Sequence, residues 1–260
     1  METADENTSY ILGTEERRRL ELLEEYLDPI TARSLDAIGI EPGWRCLEVG
    51  AGGGSVARML CDRVGPSGRV VAVDLDTRFL EELGHENLDV HCRDVVADGL
   101  PGAGYDLVHA RYLLMHLPTR EKFLGELAAA LRPGGWLLVE DGDAFPLGAL
   151  VDGLYAEFWR SMIAAFQAAG ADPHFARQLP ALFDRAGLEA VEATCEVPVF
   201  RGGTLMADLF KTSVPQVRSA VLAAGATEAQ LDDALRLTDD PTQWFTIFAT
   251  LSVRGRAPAG

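Results

Sequence analysis

Positive charge is scarce in this sequence, in which 23 lysines and arginines stand against 40 aspartates and glutamates. The resulting formal net charge of -17 over 260 residues repels phosphate backbones and anionic lipid headgroups. We therefore expect neither a nucleic acid nor a membrane among the partners of the chain.

Cysteine is also scarce, and its four copies lack the spacing of a zinc site or a disulfide framework: Cys46, Cys61, Cys92 and Cys195. This spacing predicts free thiols in a reducing compartment and no metal site. No apolar run approaches the ~20 residues of a membrane span, and residues 1–7 are polar and acidic, unlike a signal peptide. The sequence therefore predicts a cytoplasmic protein.

Hydrophobic residues make up 48% of the chain, which is enough to bury the core of one α/β domain with an accessory segment. The N-terminal part predicts two helices. Thr14 can cap the first helix, the pair Asp28-Pro29 ends it and begins the second, and Gly39 stops the second.

Strands alternate with helices in the middle of the sequence. Strands are predicted at 45–49, 69–74, 88–92, 105–110 and 135–141, and helices at 55–64, 78–83 and 120–131. The runs 70–73 and 136–139 are continuously apolar, as expected for a parallel sheet with helices on both faces. This pattern predicts a doubly wound α/β fold.

The C-terminal part is less regular. It predicts helices at 149–169 and 174–186, strands at 188–199 and 244–254, and a helical stretch at 205–238 that is interrupted at Pro215 and Gly225. The two strands bring the mostly parallel sheet to seven. We interpret the helical stretch as an insertion before the last strand that joins two edge strands of the sheet.

A glycine-rich loop follows the first predicted strand, with Gly50 and Gly52-Gly53-Gly54 allowing a tight turn and the close approach of a ligand to the backbone. The loop alone does not identify the ligand, because dinucleotide enzymes use a related one. Their fingerprint requires glycine or alanine where this sequence has Ser55. The acidic Glu48 would also repel a pyrophosphate. Both residues therefore oppose a nicotinamide cofactor.

The pattern from Glu48 to Gly54, E-x-G-x-G-x-G, resembles the first motif of class I S-adenosylmethionine-dependent methyltransferases. The segments 106–118 and 131–136 resemble later motifs of the small-molecule methyltransferases, notably the ubiquinone and menaquinone biosynthesis type and its relatives in bacterial secondary metabolism. The resemblance spans about 40–141. It implies a Rossmann-like seven-stranded sheet and S-adenosylmethionine as the cofactor.

The same resemblance implies cofactor contacts at successive strand ends. In such enzymes an acid like Glu48 lies near the amino acid end of the cofactor. Asp74 can accept hydrogen bonds from both ribose hydroxyls, and Asp94 can accept one from the adenine amino group. The full set of expected cofactor-binding residues is Tyr10, Glu48, Gly50, Ala51, Gly52, Asp74, Leu75, Asp94, Val95 and Arg111.

Each charged member of this set has a structural alternative. Glu48 could bond nearby backbone amides, Asp74 could cap a helix, and Asp94 could start a turn. Arg111 could bind either the cofactor carboxylate or the loop at the strand end. Tyr10 belongs to an opening segment that resembles relatives whose N-terminus folds over the cofactor, so residues 1–39 are expected to form a helical lid.

Methyl transfer needs alignment of the acceptor with the methyl group more than a dedicated nucleophile. An acceptor that loses a proton can be assisted by a base, and the candidates at the carboxyl ends of the strands are His116 and Asp141, with Asp143 beside it. The alternative for His116 is a histidine that ties its loop to backbone.

The acceptor site is expected under helices that follow the fifth strand, as in the resembling family. Within a domain at 40–260, the segments 148–187 and 200–242 would cover it. The candidate acceptor contacts are Tyr155, Trp159, His174 and Arg201, together with Trp244. The alternative for the aromatic residues on the long helix is the hydrophobic core.

The sequence therefore predicts a methyltransferase that acts on an oxygen, nitrogen or carbon atom of a small-molecule acceptor, working as a monomer or a homodimer. A second hypothesis keeps S-adenosylmethionine but assigns a reaction such as cyclisation or decarboxylation. The residue pattern alone does not separate the two.

Overall fold

The computed structural model describes residues 16–147 and 154–260. Within these residues the helices are α1 (Glu16–Ile38), α2 (Ser55–Val64), α3 (Arg120–Ala129), α4 (Leu154–Ala168), α5 (Leu179–Arg185), α6 (Leu205–Ala223) and α7 (Glu228–Leu237). The strands are β1 (Arg45–Val49), β2 (Arg69–Asp74), β3 (Leu88–Cys92), β4 (Tyr105–Arg111), β5 (Leu131–Asp143), β6 (Glu189–Glu196), β7 (Val199–Arg201), β8 (Trp244–Thr246) and β9 (Ala249–Arg256).

Seven strands form one sheet in the order β3-β2-β1-β4-β5-β9-β6. The pairs among β1 to β5 are parallel, whereas β9 runs antiparallel to both β5 and β6. This confirms the predicted seven-stranded, mostly parallel sheet with a helical insertion before its last strand. The expectation that the insertion joins two edge strands is wrong, because β9 lies inside the sheet.

The two long C-terminal strands predicted from the sequence are each divided. Residues 188–199 give β6 and the start of β7, which pairs with β8 in a separate two-stranded sheet. Pro198 lies at the first division and lacks the backbone N–H that a ladder needs. At the second division, Ile247 and Phe248 leave the ladder and line a large cavity.

Two prolines do not interrupt their helices. Helix α1 is continuous through Pro29, so the two predicted N-terminal helices are one, and α6 is continuous through Pro215. A proline inside a helix costs about 3 kcal/mol, which burial of an apolar face on each helix can offset. Gly225 does separate α6 from α7, and Thr227 begins α7 with a capping box.

The helix predicted at 78–83 is absent, and these residues form turns. A six-residue segment gains too few hydrogen bonds to offset helix nucleation. The helix predicted at 174–186 is a short turn at 176–178 followed by α5, and residues 149–153 of the predicted long helix lie outside the described residues.

Parallel pairing of β1 to β5 brings their carboxyl ends to one edge of the sheet. Helix α1 packs against α2 and α6 and against the neighbouring strands β5 and β9. Across the residues described, none of the helices is both long and apolar enough to span a membrane.

Candidate functional site

A cavity of about 660 Å³ lies at the carboxyl ends of the parallel strands. Its floor is the glycine loop after β1 and the ends of β2, β3 and β4, and its walls come from α1, α4, α6 and residues 247–248. The volume is within the range of small-ligand sites. One cavity therefore joins the polar strand ends to a compartment enclosed by helices.

The glycine loop presents its backbone to this cavity. Gly50 and Gly52 have left-handed φ values of 71° and 53°, which side-chain-bearing residues rarely adopt. The Gly50 amide donates to the Val73 carbonyl over 2.9 Å. A Cβ atom at Gly50 would lie 3.3 Å from the end of the Leu113 side chain, a tight contact, so glycine is favoured here chiefly for its conformation.

Asp74 lies where β2 ends and stabilises the loop. Its Oδ2 accepts a hydrogen bond from the Gly52 amide at 2.8 Å, and its Oδ1 accepts one from the Asp76 amide at 3.0 Å. Burial raises the pKa of this carboxyl, against the effect of those amides. Asp74 does not cap a helix, since turns rather than a helix follow β2.

Asp94 follows β3 and does start a turn. Its Oδ1 accepts hydrogen bonds from the amides of Val96 at 2.9 Å and Ala97 at 3.2 Å. Asp94 and Val95 also line the cavity. Beside them, Leu75 and Val96 are exposed large apolar side chains in the cavity wall, at 51% and 41% exposure, and such a pair suits the faces of a planar ring.

Glu48 lines the cavity from β1 but is 1% exposed. Its Oε2 lies 2.5 Å from Nδ1 of His109, whose Nε2 is 3.4 Å from Oε2 of Glu140. Burial raises the pKa of Glu48, and the nearby His109 and Arg111 oppose that rise. A buried side-chain network thus takes the place of the backbone bonds considered as the alternative for Glu48.

Arg111 ends β4 and also lines the cavity. Its guanidinium donates to Asp28 Oδ1 at 3.0 Å, Thr31 Oγ1 at 3.0 Å and Ser55 Oγ at 3.2 Å. Ser55 in turn donates to Asp28 at 2.7 Å. These contacts join α1 to the glycine loop, which is the second of the two roles considered for Arg111.

His116 lies in the short turn Leu114–His116 that follows β4, and it lines the cavity. Burial lowers the pKa of its imidazole to about 4, and the positive charges of Arg19 and Arg120 act in the same direction. The ring is therefore neutral near pH 7. Its centroid is 6.1 Å from that of Phe166 on α4, so a neutral base faces the apolar compartment.

Asp141 is fully buried and does not line the cavity. Its Oδ2 accepts a hydrogen bond from the Met115 amide at 2.8 Å, and its Oδ1 accepts one from the Gly142 amide at 2.9 Å. Burial raises its pKa to about 7, against these amides. The structure places Asp141 beneath the turn that carries His116 rather than beside a ligand.

Several other expected site residues lie away from the cavity. Asp143 forms an ion pair with Arg177, and His174 lies 3.5 Å from the same carboxylate. Tyr155 is buried and donates to the Thr246 carbonyl at 3.3 Å. The guanidinium of Arg201 lies 4.5 Å from the ring centroid of Trp244. Tyr10 lies outside the described residues.

The compartment between α4 and α6 is lined mainly by apolar side chains. They are Trp159, Met162, Phe166, Met206, Leu209, Phe210, Val214, Val217, Ile247 and Phe248. Trp159 is the one expected acceptor contact among them, and in the described residues α5 and α7 contribute none. Periodicity predicted an apolar face on the long helix but not that part of this face borders a cavity.

Two residues that line the cavity were not predicted from the sequence. Glu24 on α1 accepts a hydrogen bond from the Ser55 amide at 3.3 Å and adds a second acid beside the loop. Tyr112 directly after β4 has a φ of 50°, uncommon for a bulky residue and typical of functional sites. Its hydroxyl bonds Thr250 Oγ1 at 2.9 Å. No local pattern marks either residue.

A family model described as a methyltransferase domain matches residues 15–193, which is more than half of the chain. The chain belongs to the methyltransferase family. Methyltransferase str3 of Strobilurus tenacellus is 32% identical over 159 residues, covering 60% of this methyltransferase and 54% of the relative. The chain thus spans about half the length of that relative. The ubiquinone/menaquinone biosynthesis C-methyltransferase UbiE of Laribacter hongkongensis is 30% identical over 41% of this chain and 46% of its own.

Solved structures share the fold at low identity. A phosphoethanolamine N-methyltransferase 2 of Haemonchus contortus, solved with phosphomonomethylethanolamine and S-adenosylhomocysteine, has a TM-score of 0.56 at 17% identity, covering 93% of this chain and 52% of that one. The [4+2]-cyclase SpnF has a TM-score of 0.52 at 18% identity, covering 88% and 81%. The methyltransferase family predicted from the sequence is confirmed by the family model.

The residues that line the cavity fit S-adenosylmethionine, the cofactor expected from the sequence. The acids Glu24 and Glu48 border the glycine loop, where a cationic amino acid group requires negative charge. Asp74 is positioned at a strand end, where it can accept from hydroxyls, and Leu75 and Val96 offer exposed apolar surface for a base. A pyrophosphate would face those acids instead, which is unfavourable.

Proposed function

We propose that this methyltransferase acts on an oxygen, nitrogen or carbon atom of a small, largely apolar molecule bound between α4 and α6. The observation that carries the proposal is the continuity of the cavity, which runs from the acidic glycine loop to the apolar compartment. A small apolar acceptor there would meet the cofactor without crossing bulk water.

The cofactor assignments follow from the position of each side chain. Glu48 accepts from the cofactor ammonium, and Asp74 accepts from the ribose hydroxyls. Leu75 and Val96 pack on the adenine, with Asp94 and the amide of Val95 at its edge. All of these residues line the same cavity.

S-adenosylmethionine supplies an electrophilic methyl group when bound, and the chain contributes alignment and exclusion of water. The apolar side chains of α4 and α6 hold the acceptor against the methyl group. Neutral His116 is positioned to take the proton that an oxygen or nitrogen acceptor loses. Asp141 holds the turn that carries this imidazole.

The decisive experiment offers the purified enzyme S-adenosylmethionine with a labelled methyl group and a panel of aromatic and aliphatic acceptors bearing hydroxyl, amine or activated carbon groups. We expect equimolar S-adenosylhomocysteine and a product that carries the label. A product of unchanged composition without S-adenosylhomocysteine would instead support a reaction such as the cyclisation named for SpnF.

Two valine variants on α6 test the acceptor compartment. Val214 and Val221 are both buried on this helix, but only Val214 lines the cavity. Both V214A and V221A should lose about 1 kcal/mol or more of stability through the space created. Only V214A should change the KM for the acceptor, with S-adenosylhomocysteine affinity unchanged in both. Equal KM values in the two variants would place the acceptor elsewhere.

A further inference from the structure

A buried histidine connects two glutamates across the centre of the sheet. His109 on β4 is directly opposite Glu48 on β1 in the strand register, and its other ring nitrogen faces Glu140 on β5. His109 is 0% exposed, and each glutamate is 1% exposed. Ionisable groups so deeply buried are costly unless they are paired, so this arrangement requires an explanation.

Glu140 is the anchored end of this network. Its carboxylate accepts hydrogen bonds from Ser34 on α1 at 3.2 Å and from Ser252 on β9 at 2.6 Å, with Thr31 on α1 as a further donor. Although burial opposes it, His109 and these hydroxyl donors lower the pKa of Glu140 to about 2. Glu140 is therefore a fixed anion held by two elements outside β5.

His109 is the charged centre of the network. Burial alone would lower its pKa, but the carboxylates of Glu48 and Glu140 outweigh burial and raise the pKa to about 9. Among the described residues, Arg111 also faces the network, and it is itself paired with Asp28. An imidazolium at neutral pH can direct one N–H to each glutamate.

Glu48 is the end of the network that reaches the cavity. Its Oε2 bonds His109, and no hydrogen bond from residues 16–147 or 154–260 is assigned to its Oε1. A buried carboxyl tends to take up a proton, and a neutral carboxyl would be a poor acceptor for an ammonium group. An adjacent imidazolium counters that tendency.

We propose that His109 and Glu140 are positioning residues for the methyl donor: Glu140 anchors His109, and His109 holds the Glu48 carboxylate so that Oε1 can accept from the ammonium of S-adenosylmethionine. The inference rests on the Glu48 assignment in the function proposed above.

Calorimetric titration with two ligands tests this role without any acceptor. S-adenosylhomocysteine has the amino acid end, whereas 5′-methylthioadenosine keeps the adenosine and the sulfur but lacks it. We expect H109Q and E140Q to weaken S-adenosylhomocysteine binding about tenfold, the range for a charge-assisted hydrogen bond, while 5′-methylthioadenosine changes less than about twofold. Equal weakening of both ligands, or none, would overturn the positioning role.

Two control variants identify which step fails. D74A should weaken both ligands, because both contain the ribose. E48Q should weaken only S-adenosylhomocysteine. If E48Q has no effect, the ammonium assignment is wrong and the inference is overturned with it. If E48Q weakens binding and H109Q does not, the assignment stands and only the role of His109 is wrong.

A measurement on the unmodified enzyme covers the case in which the variants do not fold. Nitrogen NMR of isotope-labelled histidine reports the protonation of each imidazole. We expect His109 to be doubly protonated at pH 7.5, both free and with S-adenosylhomocysteine. A neutral His109 in either state would overturn the proposal.

Discussion

The carboxylate of Asp141 accepts a hydrogen bond from the Met115 amide at 2.8 Å, and this contact fixes the turn that carries His116. Asp143, on the same strand and equally buried, instead pairs with Arg177. The two carboxylates therefore form a matched pair for mutagenesis. They have similar burial, but only one touches the turn next to the cavity.

The variant D141N should lower kcat while D143N should not. Loss of an acceptor oxygen for a buried amide costs about 1–3 kcal/mol, so both variants lose stability, but only D141N displaces the His116 turn. Steady-state kinetics with an acceptor that the enzyme methylates measures the change in kcat. Chemical denaturation measures the change in stability. Equal kcat values in D141N and D143N would show that Asp141 has only a structural role.

His116→Gln should lower kcat by about 10²–10⁴-fold if the imidazole takes the proton of the acceptor. Affinity for S-adenosylhomocysteine should remain unchanged. Since the pKa of His116 is lowered to about 4, protonation of this imidazole should not lower kcat/KM between pH 8 and about pH 5. An acidic limb near pH 6.5 that disappears in H116Q would contradict the neutral, buried imidazole.

Asp74→Ala should weaken S-adenosylhomocysteine binding by about 1–3 kcal/mol, because the ribose loses its acceptor and the loop loses a bond to the Gly52 amide. Asp89→Asn is the control, since Asp89 pairs with Arg69 on the surface and does not line the cavity. Calorimetry should find wild-type affinity in D89N. Unchanged affinity in D74A would mean that the ribose lies elsewhere.

Stability should fall as the pH rises through the range set by His109. Its folded pKa of about 9 exceeds the value of an unperturbed histidine, so between about pH 6.5 and 9 the folded state binds more protons than the unfolded chain. The stabilisation is thus complete below that interval and is lost above it. The unfolding free energy of H109Q, measured over pH 6 to 9.5, should lack this decline. Parallel curves for the wild type and H109Q would refute the contribution of His109.

The sheet and the location of the cavity could be predicted from sequence because they depend on local signals. Continuous apolar runs identify parallel strands. Parallel strands bring Glu48, Asp74 and Asp94 to one edge of the sheet, whatever the conformation of the segments between them. The errors at Pro29 and Pro215 have a different origin. A proline signals a break locally, but buried contacts elsewhere determine whether the helix continues.

The network of His109 could not be predicted in this way. His109 and Glu140 lie inside strands whose sequence spacing has no bearing on their contact, and they meet only because β4 pairs between β1 and β5. The apolar compartment could not be predicted either, because the helices that enclose it, α4 and α6, are distant in sequence. Periodicity identifies the apolar face of each helix but not the space left between them.

A crystal structure of the complex with S-adenosylhomocysteine tests the site most directly. We expect the ribose at Asp74, the adenine between Leu75 and Val96, the ammonium at Glu48, and the sulfur facing His116 and the compartment between α4 and α6. Adenosine bound inside that compartment, against Met162 and Phe210, would contradict both the cofactor assignments and the proposed acceptor site.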